Sequence, residues 1–176
     1  MDDVIEVLIE IPRGSRPKYE WDADRGVLRL DRTLYSSVHY PTDYGYIPGT
    51  HADDGDHLDV LVIVEEPTLP GCYLDARPIG VLRMRDDKGG DDKIIAVPVA
   101  DPRFADVREF ADIAAHWQRE IDQFFRTAAM FCWQYAAVIL GSLDASNERG
   151  MALFTTVLER FVAIIVDLNA GELLPA

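Results

Sequence analysis

Eight residues, from Asp53 to Val60, place four carboxylates directly before an apolar run that ends at Val64. Carboxylates this close together repel one another, and the repulsion raises their pKa values unless a cation neutralises them. Gly55 gives the backbone freedom to bend between its acidic neighbours. Hard oxygen ligands of this kind suit Mg²⁺, with Mn²⁺ or Ca²⁺ as substitutes. The octapeptide therefore predicts a metal site at the start of a buried strand, and the alternative is a solvated acidic loop.

The excess of negative charge extends over the whole chain. Its 176 residues include 31 acidic and 17 basic side chains, which give a formal net charge of −14. Such a charge argues against binding to nucleic acid or to an anionic membrane, and it suits a protein that concentrates metal cations. The hydrophobic content of 48% and the charged content of 27% are those of a globular protein. At this length we expect a single domain over residues 1–176.

Three features of the sequence bear on its location. Cys72 and Cys132 are the only cysteines and form no CxxC pair, so neither a disulfide framework nor a thiolate zinc site is predicted. The N-terminus is acidic, where a signal peptide is basic. The longest uncharged run, residues 127–143, is shorter than the roughly 20 residues that cross a bilayer. We therefore expect a cytoplasmic protein without a membrane span.

The first hundred residues carry the alternation and the turn signals of β-strands. Residues 40–46 alternate aromatic residues with turn formers, so we predict a loop there. A second acidic turn, residues 86–93, precedes the last predicted strand and can face the first acidic turn across a sheet. The segment 72–84 contains Pro78 and Gly80, which we expect to break it. Strands are predicted at residues 4–11, 18–21, 27–32, 60–64, 72–84 and 94–99.

The pattern becomes helical towards the C-terminus. From about Asp112 the apolar residues recur every three or four positions. A second helix is predicted from Asn147 to about Leu168. The sequence thus predicts an α+β fold, in which a small closed or strongly curved antiparallel β-barrel of OB-like form spans residues of about 4–100. Two C-terminal α-helices, over residues of about 112–170, are expected to pack against it.

Seven short motifs follow one another in a fixed order between residue 4 and about residue 125. They are Glu10-Ile11-Pro12, Lys18-Tyr19-Glu20, Leu30-Asp31-Arg32, Tyr40 to Tyr46, Asp54 to Val60, Arg77 to Val81, and Asp86 to Lys93. In order and spacing these motifs resemble those of the soluble family I inorganic pyrophosphatases. The resemblance implies a metal-dependent enzyme that hydrolyses inorganic pyrophosphate to two phosphates by means of a metal-activated water.

The resemblance also implies a role for each matched residue. Asp56 resembles the general base, and Lys18, Arg32 and Tyr44 resemble further catalytic groups that, with Lys93, hold phosphate oxygens. The implied metal ligands are Asp54, Asp59, Asp91, Asp86, Glu20, Glu10 and Asp87. The implied cofactor is Mg²⁺, with two or more ions bound and Mn²⁺ as a possible substitute. The implied partners are a small-molecule diphosphate and further copies of the chain in a homo-oligomer, which is a hexamer by family resemblance.

The helical part departs from the family pattern. Counted from Phe124-Phe125, Ala128 and Ala129 occupy the positions at which the family has a Tyr and a Lys that grip the departing phosphate. Tyr135 occupies the position of a later lysine. The replacing side chains are apolar and aromatic, and they form either core, a subunit interface or a pocket for a hydrocarbon. The candidate pocket residues are Met130, Phe131, Trp133 and Tyr135.

A second departure is His57, which stands where the family motif has Pro or an acid. It either adds a titratable group beside the metal centre or points to solvent.

These observations leave three hypotheses. The first is an inorganic pyrophosphatase; the second is a repurposed relative that acts on an organic prenyl or terpenyl diphosphate, as a phosphohydrolase or a cyclase. The third is a non-catalytic, metal-binding interaction module.

Overall fold

The computed structural model describes residues 4–34, 37–52, 55–84 and 91–127. Two 3₁₀ turns, Pro102–Phe104 and Phe110–Asp112, precede a helix, α1, whose described part is residues 115–127. The second predicted helix, residues 147–168, lies outside the described residues. The strands in the described part are β1 (Ile5–Ile11), β2 (Pro17–Asp22), β3 (Val27–Thr33), β4 (Asp43–Ile47), β5 (Leu58–Val62), β6 (Tyr73–Leu82) and β7 (Lys93–Pro98).

Five of these strands close into a barrel in the order β1-β4-β5-β7-β6, and β2 and β3 form a separate two-stranded hairpin. This architecture, with a helix following the barrel, confirms the predicted α+β fold of OB-like form. One pairing differs from the antiparallel pattern, because β5 and β7 run parallel. The chain passes from β5 to β6, which lies on the far side of β7, and then returns antiparallel into β7.

The prediction of a loop at residues 40–46 is wrong for its second half, since β4 begins at Asp43 and pairs with both β1 and β5. The physical reason lies at Gly45. A Cβ atom at this position would lie 1.9 Å from the backbone oxygen of Leu8, so the glycine admits a neighbouring strand and does not mark a turn. The predicted break in β6 is also absent; the pairing of β6 with β7 shifts register between Pro78 and Gly80, and the strand continues.

In the part of the chain that the structure describes, the buried apolar residues form two clusters, one on each side of β5. Leu61 and Ile63 pack in a cluster with residues of the helical part, and Val60, Val62 and Val64 pack in a cluster of barrel residues. Successive residues of a strand point to opposite faces, so both faces of β5 are buried. The helical periodicity is confirmed by its buried residues, which are Ile113, Trp117, Ile121, Phe124 and Phe125. Among the described residues, no helix is long and apolar enough to cross a membrane.

Candidate active site

A cavity of about 370 Å³ lies between the β2–β3 hairpin and the barrel. The hairpin contributes Lys18 and Trp21, while β4 contributes Tyr44 and Tyr46. A larger cavity of about 520 Å³ borders α1 and contains none of the sequence-predicted site residues. The acidic residues that line the smaller cavity are Glu10, Glu20, Asp56, Asp59, Asp91 and Asp92.

The parallel pairing of β5 with β7 brings the two acidic segments together. Asp59, the second residue of β5, is the register partner of Lys93, the first residue of β7. Asp91 lies two residues before this strand. Since parallel strands begin at the same edge of a sheet, carboxylates that precede or open each strand reach the same place.

Lys93 neutralises part of this negative charge. Its Nζ atom donates to Asp59 Oδ2 at 2.7 Å and to Asp91 Oδ1 at 2.8 Å, and its side chain is only 6% exposed. Burial opposes the charge on the ammonium group, but the two carboxylates outweigh this effect and raise the pKa of Lys93 above its usual value. The ammonium group therefore remains charged and holds the two acids together.

Tyr44 is the second donor to the same carboxylate, because its hydroxyl donates to Asp59 Oδ2. Burial, together with the negative charge of Asp59, raises the pKa of Tyr44 well above its usual value. The phenol therefore stays protonated and remains a hydrogen-bond donor. Asp59 is thus fixed by β4 on one side and by β7 on the other.

Glu10 reaches the cavity from an irregularity in β1, where the pairing with β4 shifts register between Ile9 and Ile11. Such bulges turn a side chain away from the regular alternation. The Oε1 atom of Glu10 accepts a hydrogen bond from the backbone N–H of Trp21 at 2.6 Å. Burial raises the pKa of Glu10 to about 7, although the Trp21 bond opposes the rise, and the nearby charge of Asp59 adds to it.

The hairpin carries the remaining predicted cations. Lys18 and Arg32 are register partners on β2 and β3. The Nζ atom of Lys18 lies 2.6 Å from Glu20 Oε1 and 3.5 Å from Asp31 Oδ2. The guanidinium of Arg32 donates to the same Asp31 oxygen at 2.7 Å. Lys18 lines the cavity, whereas Arg32 is 59% exposed and is not among the lining residues.

Known protein families provide a comparison for this set of residues. The sequence model of the family described as inorganic pyrophosphatase matches residues 7–147 of this chain. The chain belongs to the inorganic pyrophosphatase family. This confirms the resemblance read from the seven motifs, and the match continues past the position near residue 125 at which that resemblance ended.

Several members of the family are close in sequence and structure. The chain is 56% identical to an inorganic pyrophosphatase of Synechocystis over 124 residues, which cover 70% of this chain and 73% of the relative. It is 47% identical to one of Halobacterium salinarum over 147 residues, which cover 84% and 83% of the two chains. The crystal structure of the inorganic pyrophosphatase from Thermus thermophilus superposes with a TM-score of 0.72 at 43% identity, over 76% of each chain.

The cavity collects most of the family-implied residues that the structure describes. Arg32 is the register partner of the lining residue Lys18, and Lys93 contacts the lining residues Asp59 and Asp91. Asp54, Asp86 and Asp87 lie outside the described residues, as do the predicted pocket residues Met130, Phe131, Trp133 and Tyr135. The implied residues that line the cavity are Glu10, Lys18, Glu20, Tyr44, Asp56, Asp59 and Asp91.

The implied ligands are all carboxylates, whose oxygen atoms suit a hard divalent cation. Within the described ranges, no three His, Cys, Asp or Glu side chains converge closely enough to hold a metal ion. Lys93 stands between Asp59 and Asp91, and three of the implied ligands are outside those ranges. Burial, together with the nearby charge of Asp59, raises the pKa of Glu10 to about 7. A cation beside this carboxyl would favour its charged form.

Sequence reasoning gave Trp21 and Tyr46 no role in the cavity wall, and it left the position of His57 open. Trp21 acts on Glu10 through its backbone N–H, a contact that no side-chain pattern reveals. Tyr46 lies two residues after Tyr44, so the alternation of a strand places both on one face once β4 is recognised as a strand. His57 lines the cavity with its ring stacked on Tyr46, at a centroid distance of 4.7 Å.

Proposed function

We propose that this member of the family hydrolyses inorganic pyrophosphate to two phosphates in a Mg²⁺-dependent reaction. The observation that carries the proposal is the single cavity in which five family-implied carboxylates meet Lys18 and Tyr44. Acidic groups alone repel a diphosphate, whereas acidic groups with a bound cation attract one. The relatives from Synechocystis and Halobacterium salinarum are inorganic pyrophosphatases, which supports the same substrate for this chain.

Enzymes of the family depend on metal ions, and we propose two or more Mg²⁺ ions here, with Mn²⁺ able to replace them. When bound, such ions supply positive charge to the phosphate oxygens and lower the pKa of a water molecule to near 7. Glu10, Glu20, Asp59 and Asp91 face one cavity and are the described candidates to hold them. Asp54, Asp86 and Asp87 complete the proposed set of ligands.

Side chains of the protein accept the proton of the attacking water and bind the phosphate oxygens. Asp56 accepts the proton of the attacking water while the water oxygen bonds to one phosphorus and the bridging P–O bond breaks. The bridging oxygen leaves with the second phosphate. Lys18 and Arg32 donate hydrogen bonds to phosphate oxygens, and such charge-assisted bonds favour the transition state, in which negative charge develops on the departing phosphate. Tyr44 and Lys93 orient Asp59 and are proposed to contact phosphate as well.

Replacement of the proposed base tests this assignment. Asp56→Asn keeps the size of the side chain and removes its capacity to accept a proton. Since a general base contributes roughly 10²–10⁴-fold to a rate, we expect phosphate release from Mg²⁺-pyrophosphate to fall by about that factor. Asp75→Asn makes the same change at an exposed position on β6 and is expected to keep wild-type turnover. Purified wild-type protein that releases no phosphate from pyrophosphate contradicts the proposal.

The organic-diphosphate hypothesis rests on Met130, Phe131, Trp133 and Tyr135, which lie outside the described residues, so it stays a prediction. The same assay with prenyl diphosphates in place of pyrophosphate tests it. Faster turnover of a prenyl diphosphate than of pyrophosphate would contradict the inorganic substrate proposed here. Tight Mg²⁺ binding without turnover of either substrate would favour the non-catalytic alternative.

We further propose that the chain forms a single domain that assembles as a homo-oligomer, a hexamer by family resemblance, in the cytoplasm. Family membership supports this proposal. Sedimentation equilibrium of the purified protein tests the assembly, and a monomer at micromolar concentration would contradict it.

A further inference from the structure

The connection between β4 and β5 carries Asp56 and is closed by side-chain hydrogen bonds. The hydroxyl of Thr50 donates to the backbone oxygen of Ile47 at 2.6 Å and accepts from the backbone N–H of Leu58 at 2.9 Å. Ile47 and Leu58 are register partners, so one hydroxyl joins the last residue of β4 to the first residue of β5. Inside the connection, the N–H of Ala52 donates to the backbone oxygen of Asp56 at 2.8 Å.

His57 adds a second closure to the same connection. Its Nδ1 atom lies 2.8 Å from the backbone oxygen of Thr50. A carbonyl oxygen only accepts hydrogen bonds, so Nδ1 carries the hydrogen whether the ring is neutral or protonated. The ring also stacks on Tyr46, with an interplanar angle of 11°. Tyr46 belongs to β4 and is paired with both β1 and β5. The His57 ring therefore packs against a strand of the barrel.

We propose that Thr50 and His57 form a clip that positions the carboxylate of Asp56 in the cavity. The proposal rests on the proposed function, in which Asp56 is the general base. Asp56 lies between the strands, outside the ladder of β4 with β5, so its position depends on how the connection itself is held. A reacting group must be held within a fraction of an ångström of its productive geometry. The Thr50–His57 clip supplies this restraint, because it ties His57, which directly follows Asp56, to Thr50 near the start of the connection.

His57 thereby has a role that neither sequence expectation included. The Nδ1 atom is directed at the backbone oxygen of Thr50, and the ring stacks on Tyr46 at a centroid distance of 4.7 Å. His57 is therefore a positioning residue, which acts on the reaction through its neighbour Asp56. A proline at this position has neither the N–H donor nor the flat ring.

Two substitutions of His57 separate the hydrogen bond from the stack. His57→Phe keeps a flat ring and removes the donor, whereas His57→Asn keeps an N–H donor at the position of Nδ1 and removes the ring. We expect His57→Phe to lower kcat by about 10- to 100-fold with little change in KM, because the base is displaced while the phosphate contacts remain. His57→Asn should retain kcat to within about threefold of wild type. His51→Phe makes the same chemical change at the neighbouring ring and should leave kcat unchanged.

Thr50 provides a parallel test with a conservative rescue. Thr50→Val preserves shape and removes the hydroxyl, so kcat should fall by about 10-fold or more, whereas Thr50→Ser keeps the hydroxyl and should restore it. If Thr50→Val and His57→Phe lower the melting temperature but keep wild-type kcat, the two residues are merely structural and the proposal is overturned.

A readout without turnover keeps this proposal separate from the proposed function. In metal-free protein, the ¹⁵N chemical shifts of the His57 ring report which nitrogen carries the hydrogen. We expect hydrogen at Nδ1 in the neutral ring, and a neutral ring with hydrogen at Nε2 alone would overturn the clip. Wild-type protein without pyrophosphate hydrolysis contradicts the proposed function, whereas active wild-type protein with an unchanged His57→Phe variant contradicts the clip alone.

Discussion

One oxygen atom, Asp59 Oδ2, accepts hydrogen bonds from both Tyr44 and Lys93. The two donors differ in kind, since one is a neutral phenol and the other an ammonium group. Lys93 also donates a hydrogen bond to Asp91, whereas the hydroxyl of Tyr44 donates to Asp59. The orientation of the proposed metal ligand Asp59 therefore depends on a hydroxyl from a neighbouring strand.

Tyr44→Phe tests this dependence by removing a single oxygen atom. A hydrogen bond to a charged group is worth about 1.5–3 kcal/mol, which corresponds to roughly 10- to 100-fold in rate when it supports only the transition state. We therefore expect kcat/KM for Mg²⁺-pyrophosphate to fall by about 10-fold or more. Tyr40→Phe removes the same atom from a buried ring that packs against Tyr44 at 5.6 Å, and it serves as the control. Equal losses in the two variants would contradict the specific role of Tyr44.

The identity of these residues was available from the sequence, but their contacts were not. The motif around Asp59 and the basic residue Lys93 were both singled out by resemblance, and the two acidic turns were expected to face one another. The contact of Lys93 with Asp59 depends on the parallel register of β5 and β7. That register follows from the crossing of the chain through β6, which is a long-range property that local patterns do not encode.

At the scale of elements, irregularities in the strands determine what reaches the cavity. The register shift between Ile9 and Ile11 directs Glu10 towards the hairpin. Local signals predicted most strands, because alternation and turn residues act over a few positions. They failed at β4, where Gly45 was read as a turn former although its role is to permit close approach of the backbone of β1. Tertiary packing overrides local propensity at that position.

Gly45→Ala tests this role of glycine in β4. The added Cβ would lie 1.9 Å from the oxygen of Leu8 and 2.9 Å from the Cα of Ile9, and backbone atoms cannot move aside as a flexible side chain can. Forcing extra volume into a packed site costs about 1–3 kcal/mol and sometimes more, so we expect the free energy of unfolding in urea to fall by at least about 3 kcal/mol.

Gly26→Ala is the control for this substitution. Gly26 lies in the hairpin turn with φ of +64°, and a Cβ atom added there would have no other atom within 4 Å. Only the backbone conformation then disfavours alanine, at a cost of about 1–2 kcal/mol. If Gly45→Ala is no more destabilising than Gly26→Ala, the close approach of β1 and β4 is not what requires glycine.

At the scale of the whole molecule, folding concentrates negative charge in a protein that already carries a net charge of −14. Glu10, Glu20, Asp59 and Asp91 are distant in sequence and meet only when the hairpin and the barrel are in place. Lys18 and Lys93 offset part of this charge through their ion pairs. The remainder opposes the folded state, so a cation that binds in the cavity must stabilise the fold as well as prepare it for a diphosphate.

The melting temperature of metal-free protein should therefore rise on addition of MgCl₂. A ligand present at 100 times its dissociation constant adds about 2.7 kcal/mol to the free energy of unfolding. For a chain of this size, that corresponds to a rise of roughly 5–10 °C in the melting temperature.

NaCl at the same ionic strength screens surface charges without entering a specific site, so its effect should be much smaller. Asp59→Asn removes one proposed ligand and should reduce the Mg²⁺-dependent rise. Equal shifts with the two salts would show that screening alone relieves the repulsion among the carboxylates. That result would contradict a specific cation site in the cavity.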